Sequence, residues 1–336
     1  MNLTIYLNKI FVMKRVLGIG NAIVDVITFI SDERLPGKLF LPKGSMQLVD
    51  RERSEKIRKE TEHFHSVFAS GGSAANTIYG LAMLGAETGF IGSIGNDENG
   101  EFFENDLKRA GVRTILRRSN TPTGIAIAFV TPDSERTFAT YLGAAMELHP
   151  DDLTADKYRG FDILYLEGYL INNLPYILKA CSLAKSMNMK VALDLASYNV
   201  VADRINSFRE IVDNYIDILF ANSDESRTFT GLEPEKALEM LSGKCEIIVI
   251  KTGAEGSLVK RGNETYKIRP YPALCLDTTG AGDLYASGFL YGLAQDKPLI
   301  TCGQYASLLA ARVIENSGAR IAPDKWAEIK KAISEI

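Results

Sequence analysis

Residues 276–283 read Leu276-Asp277-Thr278-Thr279-Gly280-Ala281-Gly282-Asp283, and the chain continues Leu284-Tyr285-Ala286-Ser287-Gly288-Phe289-Leu290-Tyr291-Gly292-Leu293. The second part has apolar residues at helical spacing and no proline, so it predicts a helix that opens at Asp283 out of a glycine turn. A helix start leaves backbone N–H groups unpaired and carries partial positive charge. Gly280 and Gly282 remove the side chains that would hold an anion away from those groups. With Ala281 they predict a pocket for a phosphate, or for a phosphoryl group in transfer. Asp283 would stand beside that group, placed to take a proton from an attacking hydroxyl. Taken alone, the same residues also suit a capped turn, since acids favour the first turn of helices.

Working outward, the half of the chain from Asp162 on alternates. Strand-like runs at 163–166, 190–193, 218–221, 247–251 and 257–260 take turns with helix-like runs at 174–186, 205–214, 234–241, 284–293, 299–315 and 322–336. Such alternation predicts an α/β fold with a mostly parallel central sheet flanked by helices. Ligands of these sheets bind beyond the carboxyl ends of the strands. Asn222 and Glu225 follow one such end and would share a face of the next helix; they could hold Mg²⁺ through water, or simply cap that helix. Lys251-Thr252-Gly253-Ala254-Glu255-Gly256 follows the next end, and is either a nucleotide-phosphate contact or a hairpin turn.

The first half carries a second glycine-opened helix, at Gly71-Gly72-Ser73-Ala74-Ala75-Asn76, ending at Gly85. Small residues there would let a ligand approach the backbone, and Asn76 would face the same opening one turn in. Residues 16–26 begin as an unbroken apolar run, which predicts a strand buried on both faces, with Asn21 and Asp25 as polar residues at its end. A ligand role and a turn role are equally open for that pair. Gly18 and Gly20 lack the third glycine of a dinucleotide fingerprint, because position 23 is Ile. Residues 113–142 are rich in Thr, Val, Ile and Phe with turns at Asn120-Thr121-Pro122 and Thr131-Pro132-Asp133. They predict hairpins that join residues 31–50 in a small β-sheet lid. Arg136, just past the second turn, is either solvated or a phosphate clamp at the lid edge.

The chain has 336 residues, 46% hydrophobic and 24% charged, with a formal net charge of −4. No basic run or stripe appears, which argues against nucleic acid as a partner. No stretch is long and apolar enough to span a membrane. The cysteines (181, 245, 275, 302) are scattered and form no CxxC pair, as expected for reduced thiols in a cytoplasmic protein. Residues 1–12 precede Met13-Lys14-Arg15 and the first strong strand, and they read as an upstream extension to a single domain at 13–336.

These stretches together resemble the PfkB-type (ribokinase-like) kinases of sugars and nucleosides. The likeness runs from about Met13 to the C-terminus, and is strongest at GGSAAN and in the stretch Asp277–Asp283. The resemblance implies a three-layer ribokinase-like fold with a lid, and an ATP- and Mg²⁺-dependent kinase. It implies Asp283 as the base and the Gly280, Ala281 and Gly282 backbone as anion hole. It places Asn222 and Glu225 near Mg²⁺ and phosphate, and Thr252, Gly253 and Gly256 on the nucleotide. It places Asn21, Asp25, Gly71, Gly72, Ser73 and Asn76 on the acceptor, and Asp277 and Thr279 near a monovalent cation such as potassium. Ser73 stands where ribokinases proper carry Lys. GNAIVD, GGSAAN and the stretch Arg136–Ala144 are more similar to bacterial members that act on adenosine, where Tyr169 or Phe138 could stack on a base or merely pack. The expected substrates are therefore ATP and the 5′-hydroxyl of adenosine, with a sugar acceptor or a non-catalytic nucleoside binder as alternatives, in a monomer or homodimer.

Overall fold

The computed structural model describes residues 13–43, 45–131 and 136–336. The expected extension at 1–12 and the turn at Pro132-Asp133 lie outside the described residues. The chain runs β1 (Val16–Ile19), β2 (Ile23–Phe29), α1 (Leu35–Lys38), β3 (Met46–Leu48), α2 (Arg51–Thr61), β4 (Ser66–Gly71), α3 (Ser73–Leu84), β5 (Thr88–Gly95), α4 (Glu98–Arg109), β6 (Arg113–Ser119), β7 (Thr123–Val130) and β8 (Arg136–Gly143). It continues α5 (Ala155–Tyr158), β9 (Ile163–Glu167), α6 (Leu174–Ser186), β10 (Lys190–Asp194), α7 (Tyr198–Asp203), α8 (Ile205–Asn214) and β11 (Ile218–Asn222). The last third is α9 (Ser223–Thr230), α10 (Pro234–Leu241), β12 (Ile247–Lys251), β13 (Ser257–Arg261), β14 (Glu264–Ile268), α11 (Ala281–Ala294), α12 (Leu299–Ile314) and α13 (Trp326–Glu335).

One sheet has nine strands in the order β14-β13-β12-β11-β10-β9-β1-β5-β6. Pairing is parallel from β12 through β6, while β13 and β14 run antiparallel. Successive side chains of its strands enter two separate cores. Tyr165, Phe220 and Val249 join α3, α4, α11 and α12 on one face. Leu166, Leu219 and Ile250 join α6, α8, α9 and α10 on the other. Strands covered on both sides must be apolar at every position, which is why the sequence shows them as unbroken runs. Each such side chain contributes about 1.5–3 kcal/mol on burial.

A second, five-stranded sheet has the order β3-β8-β7-β2-β4. Its make-up corrects two expectations. Residues 16–26 are not one strand: β1 ends at Ile19, and the chain crosses to the second sheet before Ile23. At the crossing the Asn21 N–H turns to Glu167 Oε1 (2.9 Å), and a side chain on Gly20 would strike Glu167 and Ala74. Asp25 thus sits within β2, between β4 and β7, and not at a strand end of the large sheet. Hydrophobic periodicity cannot register the crossing, because the strands on both sides of it are buried. The second correction concerns 113–142 and 31–50. Arg113–Ser119, expected with the small sheet, pairs in parallel with β5 as the edge of the large one. Of residues 31–50, Met46–Leu48 joins the second sheet beside β8, and Leu35–Lys38 is a short helix with Pro36 in its first turn. No helix among the described residues is long and apolar enough to cross a membrane.

Candidate active site

Helices α3 and α11 meet through small residues. A side chain on Gly80 would strike Ser287 and Leu284, and Ser287 Oγ donates to the Thr77 carbonyl at 2.7 Å. This contact sets the two glycine-opened helix starts side by side. Ser73 Oγ then reaches Asp283 Oδ1 at 2.7 Å across 210 positions of sequence, and Asn76 Nδ2 donates to Asp283 Oδ2 at 2.9 Å. Burial pushes the Asp283 carboxyl above its ordinary range, and these two donors partly pull it back. Asn76 is buried, and its Oδ1 has no partner among the described residues.

Gly280 caps α11 in the left-handed region (φ 75°), and a side chain there would strike Ala319. The Ala281 N–H, expected in the anion hole, is taken by the Thr278 carbonyl at 3.1 Å. The Gly282 and Asp283 N–H groups hold no hydrogen bond among the described residues. They border a cleft of about 520 Å³ that Asp25, Gly72, Ser73, Tyr169, Asp194, Asn222, Glu225, Lys251, Gly253, Gly256, Gly280 and Ala281 also line. Thr252 lies just behind, its N–H on the Gly256 carbonyl (2.8 Å) and its buried hydroxyl without a partner among the described residues.

On the opposite wall, Asp25 accepts no hydrogen bond among the described residues. Burial raises its carboxyl to about 7, against the pull of Arg320 and Arg136. Gly71 has no side chain because the Asp25 carboxyl fills that space, and Gly72 (φ 97°) passes too close to the Asn21 carbonyl to carry one. Through Ile23, Gly72, Ser73 and Tyr169 the cleft adjoins a second cavity of about 230 Å³. Met46, Leu48, Leu142, Ala145, Met146, Leu148, Leu170 and Val200 make that cavity largely aliphatic, and Asn21, Asn172 and Asn173 contribute polar edges.

Asn222 and Glu225 form a reciprocal cap. Asn222 Oδ1 accepts the Glu225 N–H (2.8 Å), and Glu225 accepts the Asn222 N–H and side-chain amide (both 2.7 Å). Burial lifts the Glu225 carboxyl to about 7, with Lys251 opposing. No cluster of three acidic, His or Cys ligands exists among the described residues, so a bare divalent ion has no cage here. A hydrated one fits, because Asn222 and Glu225 face the cleft and each Glu225 oxygen keeps a lone pair for a bound water.

The expected monovalent cation does not fit in the same way. Asp277 Oδ1 accepts the Thr279 N–H (3.0 Å) and hydroxyl (2.8 Å), and Oδ2 accepts the Gly318 N–H (2.5 Å) and pairs with Arg136 Nη2 (2.5 Å). All four lone-pair positions of the carboxylate are taken. Arg136, read from sequence as solvated or a clamp, is half-buried and also bonds Thr279 Oγ1 (3.2 Å) and Ser317 Oγ (2.9 Å). It ties β8 of the second sheet to the turn before α11.

Sequence reasoning did not single out Glu167, Asp194 or Arg320, and it met Lys251 only as the first residue of the stretch 251–256. Glu167, 1% exposed, accepts the N–H groups of Asn21 and Ala74 (2.8 Å) and so joins the strand crossing to the start of α3. Asp194 Oδ2 holds Lys251 Nζ at 2.7 Å. Arg320 lies over the Tyr79 ring at 3.7 Å and donates to the Ser70 carbonyl (2.7 Å). Three of the four were within reach. Glu167, Asp194 and Lys251 are charged residues that end buried parallel strands, the signal that pointed to Asn222.

A mostly parallel sheet under a second sheet, with an acid held at a glycine-opened helix start between them, defines a phosphotransferase with an alcohol group as acceptor. The chain belongs to the pfkB family of carbohydrate kinases, whose family model matches residues 44–326. A 5-dehydro-2-deoxygluconokinase of Bacillus subtilis (strain 168) is 31% identical over 279 residues, covering 78% of this chain and 86% of that protein. The crystal structure of a probable sugar kinase from Rhizobium etli CFN 42 superposes with a TM-score of 0.87 at 32% identity, covering 96% of this chain and 99% of that one. That of adenosine kinase from Sinorhizobium meliloti superposes with a TM-score of 0.86 at 33% identity, covering 96% and 100%.

Proposed function

We propose that this kinase transfers the γ-phosphoryl group of ATP to the 5′-hydroxyl of adenosine. The observation that carries the choice of acceptor is the aliphatic cavity beside Asp25 and Asp283. A purine offers two flat apolar faces that suit walls of Leu, Met and Val, and its ring nitrogens and amino group can meet the polar edges. A free sugar would leave hydroxyls unpaired against the same walls, at a cost of roughly 1–3 kcal/mol each. The likeness to the adenosine kinase of Sinorhizobium meliloti supports the same reading. The likeness to 5-dehydro-2-deoxygluconokinase favours the second reading, a sugar acceptor held by Asp25 alone.

In the proposed reaction, the unpaired Asp25 carboxylate accepts bonds from two neighbouring ribose hydroxyls, and Asn21 takes part in holding the ring. This directs the primary hydroxyl to Asp283. The hydroxyl oxygen attacks the γ-phosphorus, the bond to the β,γ-bridging oxygen breaks, and ADP leaves. The proton passes to Asp283 Oδ, whose raised basicity brings it closer to neutral pH. The Gly282 and Asp283 N–H groups stabilise the charge on the group in flight. Bound through water at Asn222 and Glu225, Mg²⁺ would neutralise charge on the β- and γ-phosphates. Gly253 and Gly256 let the nucleotide approach the backbone, and the second sheet acts as a lid that excludes water.

The test is ADP release by the purified chain with ATP and Mg²⁺ against adenosine, inosine, guanosine, ribose, fructose and 5-dehydro-2-deoxygluconate. A kcat/KM for adenosine at least about 100-fold above every sugar is expected, a margin of the size that apolar complementarity supplies. A sugar preferred over adenosine would overturn the acceptor and leave the base in place.

A further inference from the structure

Lys251 ends β12 in the floor of the cleft, and none of the roles above uses its ammonium group. Its side chain is 14% exposed and pairs at 2.7 Å with Asp194, itself 6% exposed. The described residues engage one of its three N–H donors. Its Nζ stands 3.1 Å from the point where a side chain on Gly282 would begin, so the absence of that side chain leaves the ammonium open to the anion hole. Around it lie three carboxyls, those of Asp194, Glu225 and Asp283. Burial works against the charged lysine, but Asp194 and Glu225 more than offset it and hold its pKa above the ordinary value.

An ion pair kept only for stability gains little from facing a solvent-filled cleft, since a buried pair is roughly neutral against an apolar replacement. A cation one step from two unpaired N–H groups has a clear use. We infer that Lys251 is a further catalytic residue, whose ammonium meets the non-bridging oxygens of the phosphoryl group in transfer beside the α11 N–H groups, with Asp194 as its positioning residue. In this reading the backbone supplies dipoles and Lys251, next to Gly282, adds a full charge. The inference rests on the phosphoryl-transfer reading but not on the identity of the acceptor.

The experiment compares Lys251→Met, Lys251→Arg and the double variant Lys251→Met/Asp194→Leu with the unaltered protein, on whichever acceptor of the panel it turns over best. Lys251→Met is expected to lower kcat about 100- to 1000-fold, the usual loss for one group of an anion hole, with acceptor KM changed less than about threefold. Lys251→Arg should recover part of that loss. The double variant removes both buried charges and should melt near the unaltered protein while remaining as slow as Lys251→Met. A kcat within about threefold of the unaltered value in either Met variant overturns the proposal. A second readout needs no acceptor: the melting temperature with Mg²⁺ and ADP, before and after aluminium fluoride, which mimics the planar phosphoryl group. The unaltered protein should gain a further shift from the fluoride that Lys251→Met lacks, with the ADP shift retained in both. An equal fluoride increment in both proteins rejects the role of Lys251 even if every acceptor in the panel fails.

Discussion

The two sides of the cleft are built on different plans. The proposed donor side consists of adjacent strand ends of the large sheet. Asp194 closes β10, Asn222 closes β11 and Lys251 closes β12, and each strand hands over at once to a turn or helix. The proposed acceptor side has no such frame. Asp25 comes from the middle of β2, Met46 and Leu48 from β3, and Leu142 from β8. Met146 comes from the turn after β8, and Leu170 and Val200 from segments that follow β9 and β10. The first is therefore carried by neighbouring strands of one sheet, while the second is assembled from many pieces. Substitutions on the first should change the chemical step, and on the second the acceptor.

The largest break in this comparison is expected where the two sides meet. Asp283→Asn should reduce kcat about 10³-fold while the melting shift with ADP stays in place, because general-base removal costs the chemical step and not the nucleotide. A variant with near-normal turnover would remove Asp283 as the base. Next in size is Gly71→Ala, which puts a methyl into the space of the Asp25 carboxyl. Overpacking of this kind costs roughly 1–3 kcal/mol of stability, and the displaced carboxyl should weaken acceptor binding and raise its KM. An unchanged acceptor KM, read by initial rates over a concentration series, would take Asp25 out of the acceptor site.

The pH dependence sharpens the same side. With the Asp25 carboxyl raised to about 7, the acceptor-binding ionised form grows as pH rises, so acceptor KM should fall about tenfold from pH 6 to pH 8. Asp25→Asn should flatten that slope at a uniformly higher KM. The sign is the diagnostic point: a KM that climbs over this range contradicts the ionised carboxylate as the ligand. Smaller again, Leu142→Ala should raise adenosine KM about 5- to 10-fold and leave ribose turnover untouched, as expected for lost apolar contact with a base. The smallest effect concerns the turn before α11. Exchanging sodium for potassium in the assay should leave kcat unchanged, because Arg136, Thr279 and Gly318 fill the Asp277 carboxylate. Activation by potassium would show that Arg136 gives way to the ion.

Much of the donor side was legible in the sequence. The helix at Ala281–Ala294, the cap at Asn222 and the turn at Gly253–Gly256 each lie within a few residues, where period and turn chemistry act. Even there one assignment was too generous, since Ala281 gives its N–H to Thr278 inside its own turn. The acceptor side was legible only in fragments. GGSAAN announced a helix start, but not that Ser73 and Asn76 would hold Asp283. The run at 16–26 concealed its change of sheet, and nothing local placed Met46 beside Leu170.

By itself, then, the sequence determined a mostly parallel α/β fold, two glycine-opened helix starts and an acid suited to phosphoryl transfer. These follow from interactions between residues one to four positions apart, which leave a period or a spacing in the chain. Only the tertiary structure decided which strand ends share a cleft, that Lys251 faces Gly282, that Arg136 fills Asp277, and that an aliphatic cavity adjoins Asp25. Those features arise from packing between segments far apart in the chain, as Arg136 and Asp277 are. A linear pattern records that such residues are buried or charged, but not which of them will meet.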